Sequence, residues 1–573
     1  MKKLLKYLKE YRKECFVAPF FKMLEAITEL FVPLVVASII DIGILNKDLA
    51  YIIKMTGVLV GIAVINFLFL IMAQYFAAKA AVGFAQKLRY ALMGHIGKFS
   101  YSQLDTLGAP TLITRMTSDV NQVQTGVNLT LRLALRSPFV VFGSMIMAFT
   151  IDKTAALVFL IAIVALSICV FGIMLLCRPL YKKVQGLLDN VLKVTRENLT
   201  GVRVVRAFCK EDDEQNEFEQ SSKALAAMQK RVGRISAILN PVTLIIVNLA
   251  VIFLIYIGAI RIDLGLMTQG MVVALYNYMA QILIELIKLA DLIVNITKAI
   301  ACGNRISAVL ELPADNDEDF VTSDFSFDSL EFRNVSFLYD GAGENSLEHI
   351  SFKAFAGETV GIIGGTGSGK TTLINLIPAF YKASDGEILI GNKNVNALNR
   401  HALRASVGVV PQKAELFHGT IRENLLWGDE NADDEELMNA LKMAQGEDIV
   451  RSRKEGLDAV IEQGGKNLSG GQRQRLTIAR ALVKKPKILI LDDSFSALDF
   501  ATDKRLRTSL KTLPKSTLTL LVSQRISSVM NADRILVLDD GRLVGNGTHD
   551  KLMKECEVYR EIYASQFKKE AAQ

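Results

Sequence analysis

The sequence predicts a multi-domain membrane protein, in which an all-α transmembrane domain with six long helices precedes an α/β domain. Three observations support this fold class. The 573-residue chain is 51% hydrophobic with a mean hydropathy of +0.30, which is high for a soluble protein. Six apolar stretches in its first half are long enough to span a bilayer. From about residue 327, short β-branched strands alternate with helices.

The chain begins with an amphipathic segment, residues 1–14, in which four apolar side chains share one helical face among six basic residues. This pattern favours a helix lying in the membrane interface, and a solvated basic tail is the alternative. The apolar run that follows contains Lys22 and two glutamates and has no A-x-A site, so it is interpreted as a retained membrane helix. The six predicted spans are residues 16–45, 51–78, 131–151, 154–176, 235–260 and 270–293.

Short and long connections alternate between these spans. The long connections, 79–130 and 177–234, are rich in Lys and Arg, whereas the three short turns carry one basic residue each. Because basic residues favour the cytoplasmic side, we expect the N-terminus and both long connections to be cytoplasmic in a multi-pass protein of the cell membrane. Their helical periodicity predicts that the membrane helices continue into the cytoplasm.

The domain boundaries follow from the change in composition. We predict a transmembrane domain at 1–311, an acidic linker at 312–326 and a nucleotide-binding domain at 327–573. The net charge of +7 is spread along the chain without a long basic block, which argues against a nucleic-acid partner. The six cysteines form no C-x-x-C pair, so the sequence predicts neither a zinc site nor a disulfide framework.

A phosphate-binding loop is predicted at Gly364–Thr372, which reads GGTGSGKTT between an apolar strand and a helical stretch. The glycines let backbone N–H groups surround phosphate oxygens, Lys370 reaches the β- and γ-phosphates, and the Thr371 hydroxyl ligates Mg²⁺. A glycine-rich turn without a ligand is the alternative. The predicted cofactors are ATP and Mg²⁺, and the predicted loop ligands are Gly364, Gly365, Thr366, Gly367, Ser368, Gly369, Lys370, Thr371 and Thr372.

Two further motifs extend this nucleotide site. The apolar run KILILDD places Asp492 at the end of a buried strand, where it can hold Mg²⁺ through water. The motif LSGGQ at 468–472 begins a helical stretch, and a Ser with two glycines at a helix start can bind an anion. Since this chain's phosphates already have a loop, LSGGQ is predicted to serve another nucleotide-binding domain. A plain helix cap is the alternative.

Together, six spans with long intracellular extensions and a C-terminal cassette of P-loop, LSGGQ and DD resemble a half-transporter of the ABC exporter superfamily. The resemblance covers essentially the whole chain and implies a P-loop ABC ATPase domain. It implies a dimer in which two cassettes enclose two ATP molecules, each held by one chain's P-loop and the other chain's LSGGQ. The residues that would complete the partner's site are Ser469, Gly470, Gly471, Gln472 and Asp499.

The resemblance also assigns roles to single residues. Tyr339 matches the aromatic residue that stacks on adenine, with a strand-edge aromatic as the alternative. Gln412 matches the glutamine that touches Mg²⁺ and faces the membrane domain. The segments 104–109 and 208–213 resemble coupling helices that dock on the cassettes, and solvated hairpin tips are the alternative.

Two departures from the family pattern concern catalysis. The family's general base is a Glu directly after the Mg²⁺-binding Asp, and here this position is Asp493. The shorter side chain draws the carboxylate back by roughly 1 Å, a displacement that can cost about 10²-fold in rate. The family's switch histidine is Gln524 here, and a neutral amide cannot carry a proton at neutral pH. Every binding residue remains, so we expect a site that holds ATP and hydrolyses it poorly.

A consensus LSGGQ beside a weak site resembles the degenerate-site subunit of bacterial heterodimeric multidrug exporters. The resemblance implies a partner half-transporter with the consensus Glu and His, and cargo that is hydrophobic or cationic and taken from the membrane lipid. A homodimer remains an alternative for the assembly. Export or import of lipid, peptide or siderophore is an alternative function, as is a nucleotide-sensing regulatory subunit.

Charged residues inside the predicted spans mark candidate cargo or gate positions, because such charges are costly in a membrane. Asp41 ends span one and is either an outer-gate residue or a helix cap. Glu25 and Glu29 share one face of span one, and Glu285 lies three residues before Lys288 in span six. Cation binding in a cavity is the functional interpretation of these acids, and local pairing of Glu285 with Lys288 is the structural one.

Overall fold

The computed structural model describes residues 2–313 and 327–567, so most of the predicted linker, 314–326, lies outside the described residues. The chain forms two compact units. The first comprises Met1–Gly97 and Pro110–Leu312, and the second comprises Lys98–Ala109 and Pro313–Gln573. The second unit therefore includes Lys98–Ala109, a segment that lies inside the predicted transmembrane domain, 1–311.

The described residues of the first unit form helices joined by short turns, with no strand among them. It begins with a 3₁₀ helix at Lys2–Tyr11 and contains short π-helical stretches at Ile39–Ile44 and Arg115–Asp119. Its α-helices are α1 (Arg12–Ser38), α2 (Leu49–Ile96), α4 (Ala109–Thr114), α5 (Val120–Leu133), α6 (Arg136–Ile151), α7 (Lys153–Ala207), α8 (Glu211–Ala237), α9 (Leu239–Asp263) and α10 (Gln269–Glu311); α3 (Tyr101–Leu107) belongs to the second unit.

Each predicted span lies within these helices, and the long connections are helical, as predicted. Among the described residues, five helical stretches are long and apolar enough to cross a membrane: Lys3–Ile44, Leu49–Ile96, Ala109–Ile151, Lys153–Ala207 and Glu211–Asp263. The sixth predicted span, 270–293, is not one of these five. It forms the first half of α10, which buries Tyr278, Met279 and Ile282 against the rest of the unit.

The second unit contains two larger sheets and a short two-stranded one. The strands are β1 (Ser329–Phe337), β2 (Leu347–Phe355), β3 (Thr359–Gly364), β4 (Asp385–Ile390), β5 (Lys393–Asn394), β6 (Val407–Val410), β7 (Gly419–Thr420), β8 (Val460–Ile461), β9 (Ile488–Asp492), β10 (Leu518–Val522), β11 (Arg534–Asp539) and β12 (Arg542–Gly547). The four-stranded sheet has the order β2-β1-β4-β5 and is antiparallel. The six-stranded sheet has the order β12-β11-β3-β10-β9-β6, and only β12 runs antiparallel.

The five parallel strands of the six-stranded sheet are largely apolar and buried, as strands covered on both faces are, whereas the antiparallel β12 alternates between exposed and half-buried residues. Besides α3, the α-helices of this unit are α11 (Lys370–Leu376), α12 (Arg400–Ser406), α13 (Ile421–Leu426), α14 (Asp434–Met443), α15 (Glu447–Arg451), α16 (Gly470–Val483), α17 (Phe500–Leu510), α18 (Ile526–Val529), α19 (His549–Glu555) and α20 (Glu557–Phe567).

Helix α3 packs on the α/β domain within the second unit. The ring of Tyr101 stacks on Phe380 with centroids 4.3 Å apart, and the Tyr381 hydroxyl donates a hydrogen bond to Asp105. Helix α3 overlaps the predicted first coupling segment, 104–109, whose role in coupling stays a prediction. In the first unit, the second predicted segment joins α7 to α8, and its Phe208 is 73% exposed.

Candidate nucleotide-binding site

The predicted nucleotide ligands lie at one edge of the six-stranded sheet. Strands β6, β9, β10, β3 and β11 are parallel, so their carboxyl ends meet at the same edge. The P-loop follows β3, Asp492 ends β9, Gln524 lies just beyond β10, and Gln412 lies just beyond β6. The strand order therefore brings together four segments that are far apart in the sequence.

The P-loop conformation depends on its glycines. Gly367 and Gly369 have φ angles of +85° and +89°, a region that side chains with a Cβ rarely adopt. A Cβ on Gly369 would also lie 2.7 Å from the carbonyl oxygen of Ser346. Lys370 is buried, and its ammonium group donates hydrogen bonds to the carbonyl oxygens of Gly364 (2.9 Å) and Gly365 (2.5 Å). The loop thus turns its lysine toward its own backbone.

A cavity of about 390 Å³ joins the loop to the residues at the neighbouring strand ends. Besides predicted residues, it is lined by residues that sequence reasoning missed, since no motif marks them. The predicted residues in the lining are Thr366, Gly367, Ser368, Gly369, Lys370, Thr371, Thr372, Gln412, Asp492, Asp493 and Gln524. The missed residues are Asn345, Ser346, Val522, Ser523, Asp540 and Gly541.

The oxygen donors in this cavity suit Mg²⁺. The Thr371 hydroxyl donates a 3.0 Å hydrogen bond to Asp492, so the two predicted ligands lie side by side. Hydroxyl, carboxylate and amide oxygens are hard donors, which Mg²⁺ prefers. Within residues 2–313 and 327–567, no cluster of three or more His, Cys, Asp or Glu side chains could hold a metal alone. The residues of this chain that would hold a magnesium ion here are Thr371, Asp492 and Gln412, which line the same cavity.

Burial shifts the pKa values of the two charged groups beside the loop in opposite directions. Burial raises the pKa of Asp492, while the hydrogen bond from Thr371 opposes that change. Burial lowers the pKa of Lys370, against the opposing charges of Asp492 and Asp493. Both groups are thus less stable in their charged forms than in water, which favours a ligand whose charges compensate them.

The two residues that depart from the family pattern line the same cavity. Asp493 is half-buried, has a φ angle of +43°, and its backbone N–H donates to the carbonyl of Val522 at 3.0 Å. Gln524 is exposed and also lines the cavity. The backbone turn after β9 therefore brings Asp493 into the lining of the cavity that contains the loop, and its weak action as a base stays a prediction.

Tyr339 lies outside this cavity and lines a neighbouring one of about 530 Å³. Its hydroxyl is 3.2 Å from the hydroxyl of Thr372, which connects it to the loop. Its ring packs edge-on against Phe337 and Tyr381, with centroid distances of 4.7 and 5.3 Å. These contacts leave the adenine-stacking role a prediction.

The LSGGQ motif lies away from this chain's own loop. Ser469 is the N-cap of α16 and forms a capping box, in which its hydroxyl accepts from the Gln472 N–H at 3.2 Å. Asp499 caps α17 in the same way, by accepting from the Thr502 N–H at 2.9 Å. Both residues are exposed, and neither is among the described residues that line the nucleotide cavity. Ser469 and Asp499 thus each cap a helix at an exposed surface, and the role of LSGGQ toward another nucleotide-binding domain stays a prediction.

In the first unit, the predicted acids form an ion network around Arg136, a residue that sequence reasoning missed. Arg136 is 7% exposed and contacts Glu285 at 2.5 Å and Glu29 at 2.6 Å, joining α6, α10 and α1. Glu25 lies 3.6 Å from Arg136 and pairs with Lys22 at 2.6 Å. The local pair is also present, because Lys288 donates to Glu285 at 2.8 Å. A basic residue inside predicted span 131–151 was the available signal.

Asp41 contacts the start of α10. Its carboxylate accepts from the Thr268 hydroxyl at 2.5 Å and from the Gly270 N–H at 2.7 Å. A Cβ on Gly270 would lie 2.6 Å from that carboxylate, so the close approach requires glycine. These contacts support the helix-cap interpretation of Asp41, and its role in an outer gate stays a prediction.

Two family models match the chain. One, described as "ABC transporter transmembrane region", matches residues 15–286, and the other, described as "ABC transporter", matches residues 347–496. The protein named "Uncharacterized ABC transporter ATP-binding protein YfiB" from Bacillus subtilis (strain 168) is 37% identical over 575 residues, with 100% of both chains covered. The "ATP-dependent lipid A-core flippase" of Chromobacterium violaceum is 28% identical over 567 residues, covering 99% of this chain and 97% of the flippase.

A solved structure described as a bacterial Atm1-family ABC exporter with ATP bound has the same fold. It superimposes with a TM-score of 0.81 and covers 97% of this chain and 98% of that one, at 23% sequence identity. The predicted combination of a membrane-domain helical bundle and an α/β ATPase domain is therefore confirmed.

Proposed function

This chain belongs to the ABC transporter family, and from that premise we propose that it is the degenerate-site subunit of a heterodimeric exporter. It is a multi-pass membrane protein with a cytoplasmic ATPase domain. In the proposal, its partner is a second half-transporter with the consensus Glu and His, and the pair is an ATP-hydrolysing translocase. The observation that carries the proposal is that Asp493 and Gln524 line the same cavity as the intact P-loop.

The chain's own site is proposed to bind MgATP. Lys370 and the loop N–H groups would hold the phosphates, while Thr371, Gln412 and Asp492 would hold the ion, partly through water. The ion neutralises phosphate charge when bound. The 3.0 Å bond between Thr371 and Asp492 supports this assignment, because it sets the two ligands together at the loop.

Weak hydrolysis at this site follows from the two altered positions. A positioned general base supplies about 10²–10⁴-fold in rate, and Asp493 is too short to occupy the position of the family's Glu. Gln524 can donate a hydrogen bond to phosphate but cannot supply a proton at neutral pH. ATP retained here would keep the two cassettes partly engaged while the partner's site turns over.

The partner's site is proposed to use this chain's LSGGQ. Ser469 and Gly470 are exposed at the start of α16, and Asp499 is exposed at the start of α17. Because they lie outside the chain's own nucleotide cavity, they are available to ATP held by the partner. The exposed Phe208 between α7 and α8 is proposed to dock on the partner's cassette.

The proposed cargo is hydrophobic or cationic small molecules taken from the inner leaflet. The hydrophobic half of this proposal has more support, because Glu25, Glu29 and Glu285 each already have a basic partner. A cation would have to displace Arg136, Lys22 or Lys288 from these acids. The similarity to lipid A-core flippases favours lipid as a second candidate cargo. Transport of a labelled lipid and of a neutral dye by the purified complex in vesicles separates the two.

The experiment that tests the proposed asymmetry is the substitution Ser469→Asp. Asp caps a helix as well as Ser does, so α16 and the stability of the domain should be retained. Its carboxylate would, however, repel the γ-phosphate of ATP on the partner's loop. We expect steady-state ATPase activity of the purified complex to fall by at least about tenfold, an effect of roughly 1.4 kcal/mol or more on the activation barrier.

The matched control is Asp433→Ser at α14, where another capping box forms in the same domain. This exchange of capping residues should leave activity and melting temperature unchanged. If Ser469→Asp left activity at the wild-type level, LSGGQ would be a plain helix cap and the proposal would be wrong. Full transport by the chain without a partner would instead favour the homodimer alternative, and ATP binding without any transport would favour a regulatory subunit.

A further inference from the structure

We propose that Gln566, on the C-terminal helix α20, is a positioning residue that holds Gln524 at the nucleotide cavity. The inference rests on the proposed function in one respect, namely that residue 524 acts on the γ-phosphate. Nothing in the sequence marks Gln566, which lies 42 residues after Gln524. The proposed positioning role of Gln566 rests on two hydrogen bonds made by its side-chain amide.

The Gln566 side chain makes two hydrogen bonds to the backbone of the switch segment, which we define as Ser523–Ser527. Its amide nitrogen donates to the carbonyl oxygen of Gln524 at 2.8 Å. Its amide oxygen accepts from the backbone N–H of Ile526 at 2.9 Å. One side-chain amide therefore satisfies an acceptor and a donor on either side of Arg525, much as a neighbouring β-strand would.

The switch segment needs such support because it has left the sheet. Strand β10 ends at Val522. Two points fix the backbone after it. The Ser523 N–H donates a 3.1 Å hydrogen bond to the carbonyl oxygen of Ile362, and the side chain of Ile526, at the start of α18, is buried. Between these anchors, Gln524 lines the nucleotide cavity, whereas Arg525 lines a second cavity of about 960 Å³. Consecutive residues of the segment thus line two different cavities. The two hydrogen bonds from Gln566 replace the backbone hydrogen bonds that a neighbouring strand would supply.

Helix α20 is a rigid support for this amide. Tyr559 is completely buried and its hydroxyl is 2.8 Å from His549 on α19. One turn before Gln566, Tyr563 stacks with Phe567 at a centroid distance of 4.5 Å, and both rings pack against the core of the domain. Since the helix is anchored along this face, the position of Gln566 relative to the sheet is set by packing rather than by the switch segment itself.

A second side chain holds the other end of the segment. Arg507 on α17 donates to the carbonyl oxygen of Ser527 and is oriented by two 2.9 Å bonds to Asp503. Helix α17 begins at the Asp499 loop, so the switch segment is tied both to that loop's helix and to the C-terminal helix. Gln566 is the contact that lies directly on the backbone of residue 524.

The test uses Gln566→Met, which retains the length and apolar stem of the side chain and removes both hydrogen bonds. The background is Asp493→Glu with Gln524→His in the full-length chain, in the assembly in which it purifies. Trapping of photoreactive ATP on this chain reports the turnover and the half-saturating ATP concentration of its own site. We expect turnover to fall about tenfold, since displacements near 1 Å can cost up to about 10²-fold, with half-saturation changed less than about twofold.

Hydrogen exchange of the peptide containing residues 524–526 is the second measurement, in both the wild-type and the substituted backgrounds. Gln566→Met should speed exchange of this peptide and leave that of strand β9 unchanged. The matched control is Gln445→Met, because the amide of Gln445 also makes two hydrogen bonds, to Lys442 and Ser509, away from the nucleotide cavity. This control should alter neither readout.

The outcomes separate the inference from the proposed function. Unchanged turnover and unchanged exchange would overturn the positioning role. A loss of turnover together with weaker ATP binding and a lower melting temperature would also overturn it, since that is the signature of a merely structural residue. If the background substitutions fail to raise turnover, the proposed function fails, and exchange in the wild-type background still decides whether Gln566 holds the segment.

Discussion

Replacing Asp493 with Glu and Gln524 with His is expected to raise ATP hydrolysis at this chain's own site by about 10²–10⁴-fold, the range that a positioned base supplies. Both residues line the cavity that contains Lys370 and Thr371, so the new groups would enter the proposed phosphate- and metal-binding site. The added methylene would return the carboxylate to the position of the family's base. The imidazole would provide a group that can carry a proton near neutral pH.

The measurement is nucleotide trapping assigned to each chain of the purified complex, combined with single-turnover hydrolysis. Each substitution alone should give only part of the increase, because both groups act on the γ-phosphate. Asp540→Glu is the matched control, since Asp540 lines the same cavity and has the same φ angle of +43°. It should leave hydrolysis unchanged. A wild-type Asp493 site that already turned over as fast as its partner's would contradict the degenerate assignment.

Removing the guanidinium group of Arg136 is expected to destabilise the membrane unit by about 3–5 kcal/mol, the usual cost of breaking a buried ion pair on one side. Arg136→Leu would leave Glu285, which is 3% exposed, and Glu29 without the cation that joins them. Because the network connects α1, α6 and α10, the loss should appear as a lower midpoint of unfolding rather than as a local change. Thermal unfolding of the full-length complex in nanodiscs measures it.

Two comparisons make this prediction specific. Arg132→Leu removes a half-buried arginine from the turn before Arg136 and should cost much less, since no ion pair involves it in the described residues. Replacing Arg136, Glu29 and Glu285 together by Leu should recover most of the stability, because a buried ion network can often be exchanged for apolar side chains at little cost. If Arg136→Leu unfolded at the wild-type temperature, the network would not stabilise the unit.

Local sequence was enough to predict the two kinds of domain and to select the candidate nucleotide ligands, most of which line one cavity. A membrane span needs about 20 apolar residues in a row, and a P-loop needs glycines and a lysine at fixed spacing, so both signals lie within one short segment. The same holds for Asp493, whose neighbour Asp492 identified its position. Hydrophobic periodicity likewise predicted that the long connections would be helical, as they are in α2 and α7.

Tertiary structure alone decided which distant side chains meet. Arg136 and Glu285 are 149 residues apart, and Asp41 and Gly270 are 229 apart, so no local pattern could pair them. The bonds from Gln566 to the switch segment depend on how α20 packs against the sheet. The physical reason is that the conformation of a helix, strand or loop depends mainly on residues that are neighbours in the sequence. Ion pairs and hydrogen bonds between distant side chains depend instead on which helix faces and strand ends packing brings into contact.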